Sequence, residues 1–219
     1  MANRFRAFPA HQSAVQVAVN YSVMKRLLDF TFSVLGLVVF SPLFAVVAVL
    51  IKIGSKGPVF YRGIRTGRCG KPFRIFKFRT MVANAEQVGG TSTAETDPRI
   101  TRIGRWLRKY KIDELPQILN VLKGEMSLVG PRPEVEEYTH LYTPEEMGIL
   151  NVLPGITDLS SIRFRDLNEI LARAGDPDRY FAENVLPIKN QLRLEYVRNR
   201  SLWVDFKIIF HTLRAIWQK

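Results

Sequence analysis

The feature of this sequence that most constrains its fold is an apolar run from Leu27 to Ile51, whose one charged residue is Asp29. A straight helix of that length would measure about 37 Å, enough to cross a hydrocarbon core of about 30 Å. Ser41 and Pro42 interrupt the run near its middle, and proline lacks the N–H that a helix interior requires. We therefore expect two shorter helices, neither of which crosses a bilayer alone.

Basic residues lie on both sides of this run, and no acidic residue lies among them. The flanking cations are Arg4, Arg6, Lys25, Arg26, Lys52, Lys56, Arg62, Arg65, Arg68 and Lys71. Because lysine and arginine favour the cytoplasmic side of a membrane segment, both flanks are expected on that side. We predict a re-entrant helix-break-helix hairpin, in which the Ser41 hydroxyl bonds a carbonyl that Pro42 leaves free. A kinked spanning helix and a buried core helix remain alternatives.

Composition narrows the classes of function. The 219 residues, 47% of them hydrophobic, suffice for one folded domain and a membrane element. A single cysteine, Cys69, excludes a disulfide framework and a cysteine zinc site, and the three histidines lack metal-ligand spacing. Residues 1–85 hold thirteen Lys and Arg against one acid, so the net charge of +12 lies around the apolar run. This placement favours an anionic membrane surface, and we expect no nucleic-acid partner.

The pattern predicts an α+β chain that is mostly α. A small β-hairpin is expected from Val59–Arg62 and Phe73–Phe78. The last segment has helical periodicity and two tryptophans, which suits an interfacial amphipathic helix, although an ordinary packed helix fits equally well. The predicted segments are an N-terminal extension (1–24), the membrane hairpin (25–53), a helical cytoplasmic domain (54–200), which includes a polar loop at 84–98, and the amphipathic helix (201–219).

The densest group of chemically useful residues is RKYKIDELPQ, residues 108–117. Asp113 and Glu114 follow a row of arginines at positions 99, 102, 105 and 108, which lie near one helix face. Aspartate is a favoured N-cap and Pro116 is tolerated in a first turn, so helix capping would explain the acids without chemistry. The arginine row exceeds what capping requires. It suits a phosphate-bearing ligand and would keep a carboxylate ionised, as a nucleophile or metal ligand.

Three further cations are candidates for binding the same ligand. Arg132 stands between two prolines in GPRP (130–133), so a stiff loop presents its guanidinium. A phosphate clamp and a purely structural turn are both consistent with these four residues. Lys77 and Arg79 end the second predicted strand in FKFRTM, beside Thr80, and either face a ligand or are solvated.

Taken together, these motifs resemble the bacterial sugar transferases, which are monotopic phosphoglycosyl transferases, also called polyprenyl-phosphate hexose-1-phosphate transferases. The resemblance covers Met24 to the C-terminus. It is carried by Lys25-Arg26, the break at Ser41-Pro42, FKFRTM (76–81), DPRITRIGRWLRKYKIDELPQILNVLKGEMSLVGPRP (97–133) and PGIT (154–157).

The resemblance implies a Mg²⁺-dependent enzyme at the cytoplasmic face of the bacterial inner membrane. Such an enzyme moves a sugar-1-phosphate from a UDP-sugar to undecaprenyl phosphate and so initiates a surface glycoconjugate or exopolysaccharide. By resemblance, Asp113 would be the nucleophile that expels UMP and forms an aspartyl phosphosugar, with Glu114 assisting. Asp113 would also hold Mg²⁺, and Arg108 and Arg132 would hold phosphate. A homo-oligomer is left open, and a non-catalytic membrane scaffold is the alternative function.

One segment departs from the family pattern. Many members continue PGIT with Gly-Trp-Ala-Gln-Val-Asn-Gly-Arg, whereas this chain has DLSSIRFR at 158–165. Since the segment lies near the donor site in the family, Asp158, Arg163 and Arg165 are candidates for the donor-sugar region. The departure bears on the identity of the sugar and leaves the implied reaction class unchanged.

Overall fold

The computed structural model describes residues 9–83, 85 and 97–217. Its first element is one helix, α1, from Pro9 to Gly54, with Pro42 inside it. The predicted break into two helices is therefore wrong. The Ser41 hydroxyl donates to the Val38 carbonyl at 2.8 Å, as expected, and this is the carbonyl that the missing N–H of Pro42 would have bonded. Because that acceptor is satisfied, the helix continues past the proline.

Helix α1 also begins earlier than expected, because residues 9–24, taken as an extension, are helical. Pro9 stands at its first position, where proline is tolerated. Among the described residues, the part from Asn20 to Gly54 is long and apolar enough to cross a membrane. Only 11% of its most apolar stretch is buried, which speaks against a core helix of a soluble protein.

One stripe of α1 packs on the rest of the protein. Asp29, Ser33, Val47 and Ile51 are buried at helical spacing on both sides of Pro42. The other faces expose large apolar side chains. These are Val23, Met24, Leu27, Phe30, Phe32, Val34, Leu35, Val38, Val39, Val46, Val49, Leu50 and Ile53. The globular part thus runs alongside the helix and leaves a wide apolar surface uncovered.

The predicted β-hairpin is present in two parts. Strand β1 (Phe60–Tyr61) pairs antiparallel with β4 (Lys77–Phe78), and β2 (Ile64–Thr66) pairs with β3 (Pro72–Arg74). Phe78 packs with Val47, Ile51 and Leu107 in a buried cluster, which fixes the hairpin against α1.

The remaining elements are short apart from the last two helices. Strands β5 (Ser127–Val129) and β6 (Gly155–Thr157) form a parallel pair. The helices are α2 (Arg102–Lys109), a 3₁₀ turn (Ile112–Gln117), α3 (Ile118–Lys123), α4 (Glu136–Thr139), a 3₁₀ turn (Glu146–Asn151), α5 (Leu159–Arg163), α6 (Leu167–Ala172), α7 (Pro177–Tyr180), a π turn (Phe181–Val185), α8 (Leu186–Asn199) and α9 (Leu202–Trp217). The polar loop predicted at 84–98 lies mostly outside the described residues.

Helix α9 has two different faces. Ile208 and Asp205 are buried against the domain, where Ile208 packs with Val129 and Tyr196. The opposite side exposes Trp203, Phe206, Phe210 and Leu213. The expected packed helix describes the buried face of α9, and the expected interfacial helix describes its exposed face. Contact of the exposed face with a membrane stays a prediction.

Candidate functional site

The site begins at the turn between α2 and the 3₁₀ segment. Lys111 occupies the position before Ile112 with a left-handed backbone, φ 57° and ψ 18°, which is uncommon for a residue with a side chain. The turn places Asp113 and Glu114 in the first turn of a short helix that α3 continues. Lys111, and not Asp113, holds the cap position. The capping explanation for Asp113 is therefore wrong.

The carboxyl of Asp113 is buried. The residue is 8% exposed, and within the described part of the chain its Oδ1 has no hydrogen-bond partner. Burial raises the pKa of Asp113 to about 6, helped by the charge of Glu114 and opposed by the charges of Lys77, Arg108 and Lys111. Ionising such a buried carboxyl costs free energy. Once it is ionised, its free oxygen can bind a ligand that enters the site.

Glu114 has the opposite environment. Its Oε1 accepts from Lys77 Nζ at 3.1 Å and from Arg132. Burial raises the pKa of Glu114, but the charges of Arg132, Lys77 and Lys111 outweigh that effect and hold the pKa well below its usual range. Glu114 therefore stays ionised and gathers two cations from distant parts of the chain beside Asp113.

Arg108 supplies a third cation from the last turn of α2. Its Nε donates to the hydroxyl of Thr80 at 2.9 Å. The charge of Asp113 acts on Arg108 and that of Arg108 on Asp113, which places the two groups within electrostatic reach. The structure thus brings Lys77, Arg108 and Arg132 around the two acids, as phosphate binding would require.

The loop that carries Arg132 is held by the β5–β6 pair. The backbones of Gly130 and Gly155 pack together so closely that a Cβ on Gly155 would lie 2.1 Å from the Gly130 nitrogen. Arg132 donates its backbone N–H to Asp158 at 3.1 Å and its Nη1 to the Ile156 carbonyl at 3.0 Å. The two glycines therefore fix the direction of this guanidinium.

Asp158 supports Arg132 and does not line an open site. It is 1% exposed and caps α5 by accepting from the Ser161 N–H at 2.6 Å. Its carboxylate also accepts from the Ser160 hydroxyl and lies 3.6 Å from Arg193. Asp158, which was predicted for the donor-sugar region, thus has a structural role in the protein interior.

A buried ion network, which was not predicted from the sequence, lies behind Arg132. The Arg193 guanidinium is fully buried and lies 2.5 Å from Glu134, which also accepts from Lys189 at 3.2 Å. Burial raises the pKa of Glu134, but Lys189 and Arg193 reverse this and hold the pKa at about 2. The sequence signal for this network was the spacing of Lys189, Arg193 and Tyr196, which places all three on one face of helix α8.

Three of the predicted site residues lie elsewhere. Arg79 is 6% exposed and donates to the Ser55 and Lys56 carbonyls at 2.8 and 2.6 Å, which ties the end of α1 to the hairpin. Arg163 is exposed, and the exposed Arg165 pairs with Asp166 at 3.0 Å. None of the three is brought to the cluster around Asp113.

The carboxylate oxygens of the site suit a divalent metal ion that takes few ligands from the protein. Across the described ranges no three His, Cys, Asp or Glu side chains are grouped as a metal site. Asp113 offers one buried free oxygen, whereas the Oε1 of Glu114 is already taken by two cations. Magnesium is commonly held by one or two carboxylates together with substrate phosphates and water, so these residues fit Mg²⁺ bound jointly with a phosphate ligand.

Comparison with known proteins gives the family. The family model described as "Bacterial sugar transferase" matches residues 20–219 of this chain. The chain belongs to this family. The match includes α1 from Asn20 onward, the cluster around Asp113 and the C-terminal helix α9.

Three relatives in this family illustrate its range. An Aeromonas hydrophila protein named UDP-N-acetylgalactosamine-undecaprenyl-phosphate N-acetylgalactosaminephosphotransferase is 40% identical over 90% of this chain and 44% of its own length. A Komagataeibacter xylinus undecaprenyl-phosphate glucose phosphotransferase is 41% identical over 87% of this chain and 35% of its own. Exopolysaccharide production protein ExoY of Rhizobium meliloti is 36% identical, over 88% and 84%. This chain therefore spans less than half of the first two relatives.

Proposed function

We propose that this protein transfers a sugar-1-phosphate from a UDP-sugar to undecaprenyl phosphate, giving a polyprenyl diphosphate sugar and UMP. The observation that carries the proposal is Asp113, a buried carboxyl with a pKa of about 6 beside three cations, whose Oδ1 has no hydrogen-bond partner among the described residues. Two relatives are named for phosphotransfer to undecaprenyl phosphate, which supports the reaction class. The proposed pathway is synthesis of a surface glycoconjugate or exopolysaccharide, with ExoY as the supporting relative.

Asp113 is proposed to act as the nucleophile. One carboxylate oxygen attacks the sugar-linked phosphorus, the bond from that phosphorus to the bridging oxygen breaks, and UMP leaves. The chain then carries an aspartyl phosphosugar. A phosphate oxygen of undecaprenyl phosphate attacks the same phosphorus and restores the free carboxylate. A covalent intermediate divides one difficult displacement into two easier ones.

The neighbouring charges perform most of the catalysis in this scheme, because phosphoryl transfer depends on positioning and charge neutralisation. Arg108 and Arg132 are proposed to hold the diphosphate oxygens, with Lys77 beside them. Glu114 keeps Lys77 and Arg132 in place and remains ionised itself. The positive charges also favour the ionised form of Asp113, against the effect of its burial.

Mg²⁺ is proposed as the cofactor, held by Asp113 together with phosphate oxygens of the donor. When bound, it would neutralise negative charge on the diphosphate and on the leaving UMP. Its proposed ligand on the protein is the one buried carboxylate oxygen of Asp113 that lacks a partner.

A re-entrant arrangement of α1 is part of the proposal. Toward one end, Lys25 pairs with Asp205 at 2.8 Å; toward the other, Ile51 packs with Phe78 and Leu107. Both ends therefore contact the same globular part, whereas a spanning helix would carry its ends to opposite faces of the bilayer. This supports the placement of both flanks, and of the site, on the cytoplasmic side.

Cysteine labelling tests that topology. The native Cys69 is exposed and reports the globular side, and an Ala2→Cys variant adds a reporter before α1. We expect a membrane-impermeant maleimide to label neither position in intact cells and both after the cells are opened. Labelling of position 2 in intact cells would contradict the re-entrant arrangement.

Release of UMP tests the reaction itself. Detergent-purified protein is given a panel of UDP-sugars with Mg²⁺, with and without undecaprenyl phosphate. We expect one donor to release UMP, with full turnover only when the lipid phosphate is present, and no turnover by Asp113→Asn. The matched control is Glu137→Gln, which neutralises an exposed acid in the same chain. Folded protein that releases UMP from none of the donors would favour the non-catalytic scaffold.

A further inference from the structure

We propose that Thr80 is a positioning residue, whose hydroxyl aims the Arg108 guanidinium at the phosphates of the ligand. The inference rests on the proposed function, in which Arg108 binds phosphate. Thr80 lies two residues after the end of β4 and is 7% exposed. Its hydroxyl accepts a hydrogen bond from Arg108, and among the described residues it makes none with Asp113 or Glu114, so it acts through the arginine.

Three hydrogen bonds tie Thr80 to both ends of α2. At the start of the helix, the backbone N–H and hydroxyl of Thr101 donate to the Thr80 carbonyl at 3.0 and 3.2 Å. Thr101 is also the N-cap, since it accepts from the Gly104 N–H at 3.0 Å. At the end of the helix, Arg108 Nε donates to the Thr80 hydroxyl at 2.9 Å. One residue therefore fixes both where α2 begins and where its last arginine points.

Gly104 allows this close contact. A Cβ at Gly104 would lie 2.0 Å from the Thr80 carbonyl oxygen, a distance that no side chain can occupy. Glycine inside a helix costs about 1 kcal/mol relative to alanine, and here that cost is offset by direct packing of α2 on the strand end. Arg108 lies four residues further on and therefore on the same face of the helix. The approach at Gly104 thus brings the Arg108 side chain within reach of the Thr80 hydroxyl.

The chemistry of this contact favours a role in binding. The hydroxyl is neutral, so it orients the guanidinium without cancelling its charge, in contrast to the Glu114 carboxylate that pairs with Arg132. Holding Nε fixes the plane of the guanidinium. The two Nη groups then form a fork that matches two phosphate oxygens, and a fixed fork loses less rotational freedom when it binds.

The test uses UDP as the probe, because it carries the diphosphate whichever sugar the donor bears. Its dissociation constant is measured by calorimetry on the detergent-purified full chain with Mg²⁺. Thr80→Val, which keeps the shape and removes the hydroxyl, is expected to weaken UDP binding by roughly tenfold or more, the usual effect of losing a hydrogen bond to a charged group. Thr80→Ser, which keeps the hydroxyl, is expected to bind within about twofold of the unchanged protein.

A double-mutant cycle distinguishes the orientation of Arg108 by Thr80 from a general disturbance of the fold. Arg108→Lys has no Nε at that position, so Thr80→Val is expected to cause no further loss in its presence. Gly104→Ala serves as a second probe, should Thr80→Val fold poorly. It retains every hydrogen-bonding group but pushes α2 away, and it too is expected to weaken UDP binding only while Arg108 is present.

The other outcomes of the UDP-binding measurements distinguish failure of the inference from failure of the proposed function. Losses that add in the double variants, or a Thr80→Val protein that binds UDP normally, would overturn the inference and leave the proposed function standing. Normal UDP binding by Arg108→Lys would overturn the phosphate role of Arg108 and the inference with it. Absence of UDP binding by the unchanged, folded protein would count against the proposed function itself, and would overturn the inference as well.

Discussion

Replacing Asp113 by asparagine is predicted to stabilise the folded protein at neutral pH while removing its activity. The residue is buried with an unpartnered Oδ1, and burial raises its pKa from 3.8 to about 6. A group whose pKa is raised on folding binds its proton more tightly in the folded state. Stability is therefore greatest below pH 3.8, falls as the pH rises through about 6, and is constant above that.

The size of the effect follows from the two pKa values. Linkage gives a destabilisation of about 3 kcal/mol at pH 7.5 and roughly half of that at pH 5. Asparagine cannot ionise, so Asp113→Asn avoids this cost. For a chain of this size, 1 kcal/mol corresponds to about 2–4 °C in melting temperature. We expect Asp113→Asn to raise the melting temperature by about 6–12 °C at pH 7.5 and by about half as much at pH 5.

Thermal unfolding of the detergent-purified protein at the two pH values measures this directly. Glu137→Gln is the control, because its acid is exposed and its loss is expected to change the melting temperature little at either pH. A lower melting temperature for Asp113→Asn, or a difference that is the same at both pH values, would refute the reasoning that the carboxyl is held ionised at a cost.

Three other predictions concern the charges around the site. Lys77→Met should move the acid limb of the kcat/KM profile to higher pH, because the Lys77 charge lowers the pKa of Asp113; an unmoved limb would show that this charge does not act there. Arg193→Met removes a buried cation from beside two buried carboxylates, Glu134 and Asp158, and should cost about 3–5 kcal/mol in unfolding experiments. By contrast, Arg198→Met breaks an exposed pair and should cost under about 1 kcal/mol, so equal losses would contradict this. Removing Mg²⁺ with EDTA should stop UMP release and adding Mg²⁺ should restore it, whereas full activity in EDTA would exclude the cofactor.

Local patterns in the sequence predicted the local structure well. The hairpin was predicted from Val59–Arg62 and Phe73–Phe78, and strands from both segments are paired in the structure. The break at Pro42 was wrong although the bond from the Ser41 hydroxyl was predicted, because that bond was expected at a break and instead lies within a continuous helix. Here the neighbouring Ser41 hydroxyl satisfies the carbonyl that the proline leaves free.

Long-range pairing limited what could be predicted of the site. The arginine row predicted Asp113 and Glu114 as the candidate site, because the acids and Arg108 lie in one short segment. Arg79 follows the same strand as Lys77, yet strand β4 ends at Phe78 and Arg79 turns to the end of α1. No pattern in the sequence reports that contact, since its partners lie more than twenty residues away.

The buried role of Asp158 was within reach of the sequence. Aspartate three residues before Ser161 is a favoured start for a helix, and the structure shows this cap. Its second role, holding the backbone of Arg132, depends on the parallel pairing of β5 and β6. That pairing joins segments separated by residues 130–154, which hold only a short helix and a 3₁₀ turn, so it followed only from the structure.

The central claim is that Asp113 carries the sugar phosphate between donor and acceptor, and the mass of the intact chain tests it most directly. After incubation with its UDP-sugar and Mg²⁺, the chain should gain the mass of one sugar phosphate, located on the peptide that contains Asp113. Adding undecaprenyl phosphate should return the original mass, and Asp113→Asn should never gain it. Lipid product formed by an active Asp113→Asn protein, or a modified peptide that lacks Asp113, would contradict the claim.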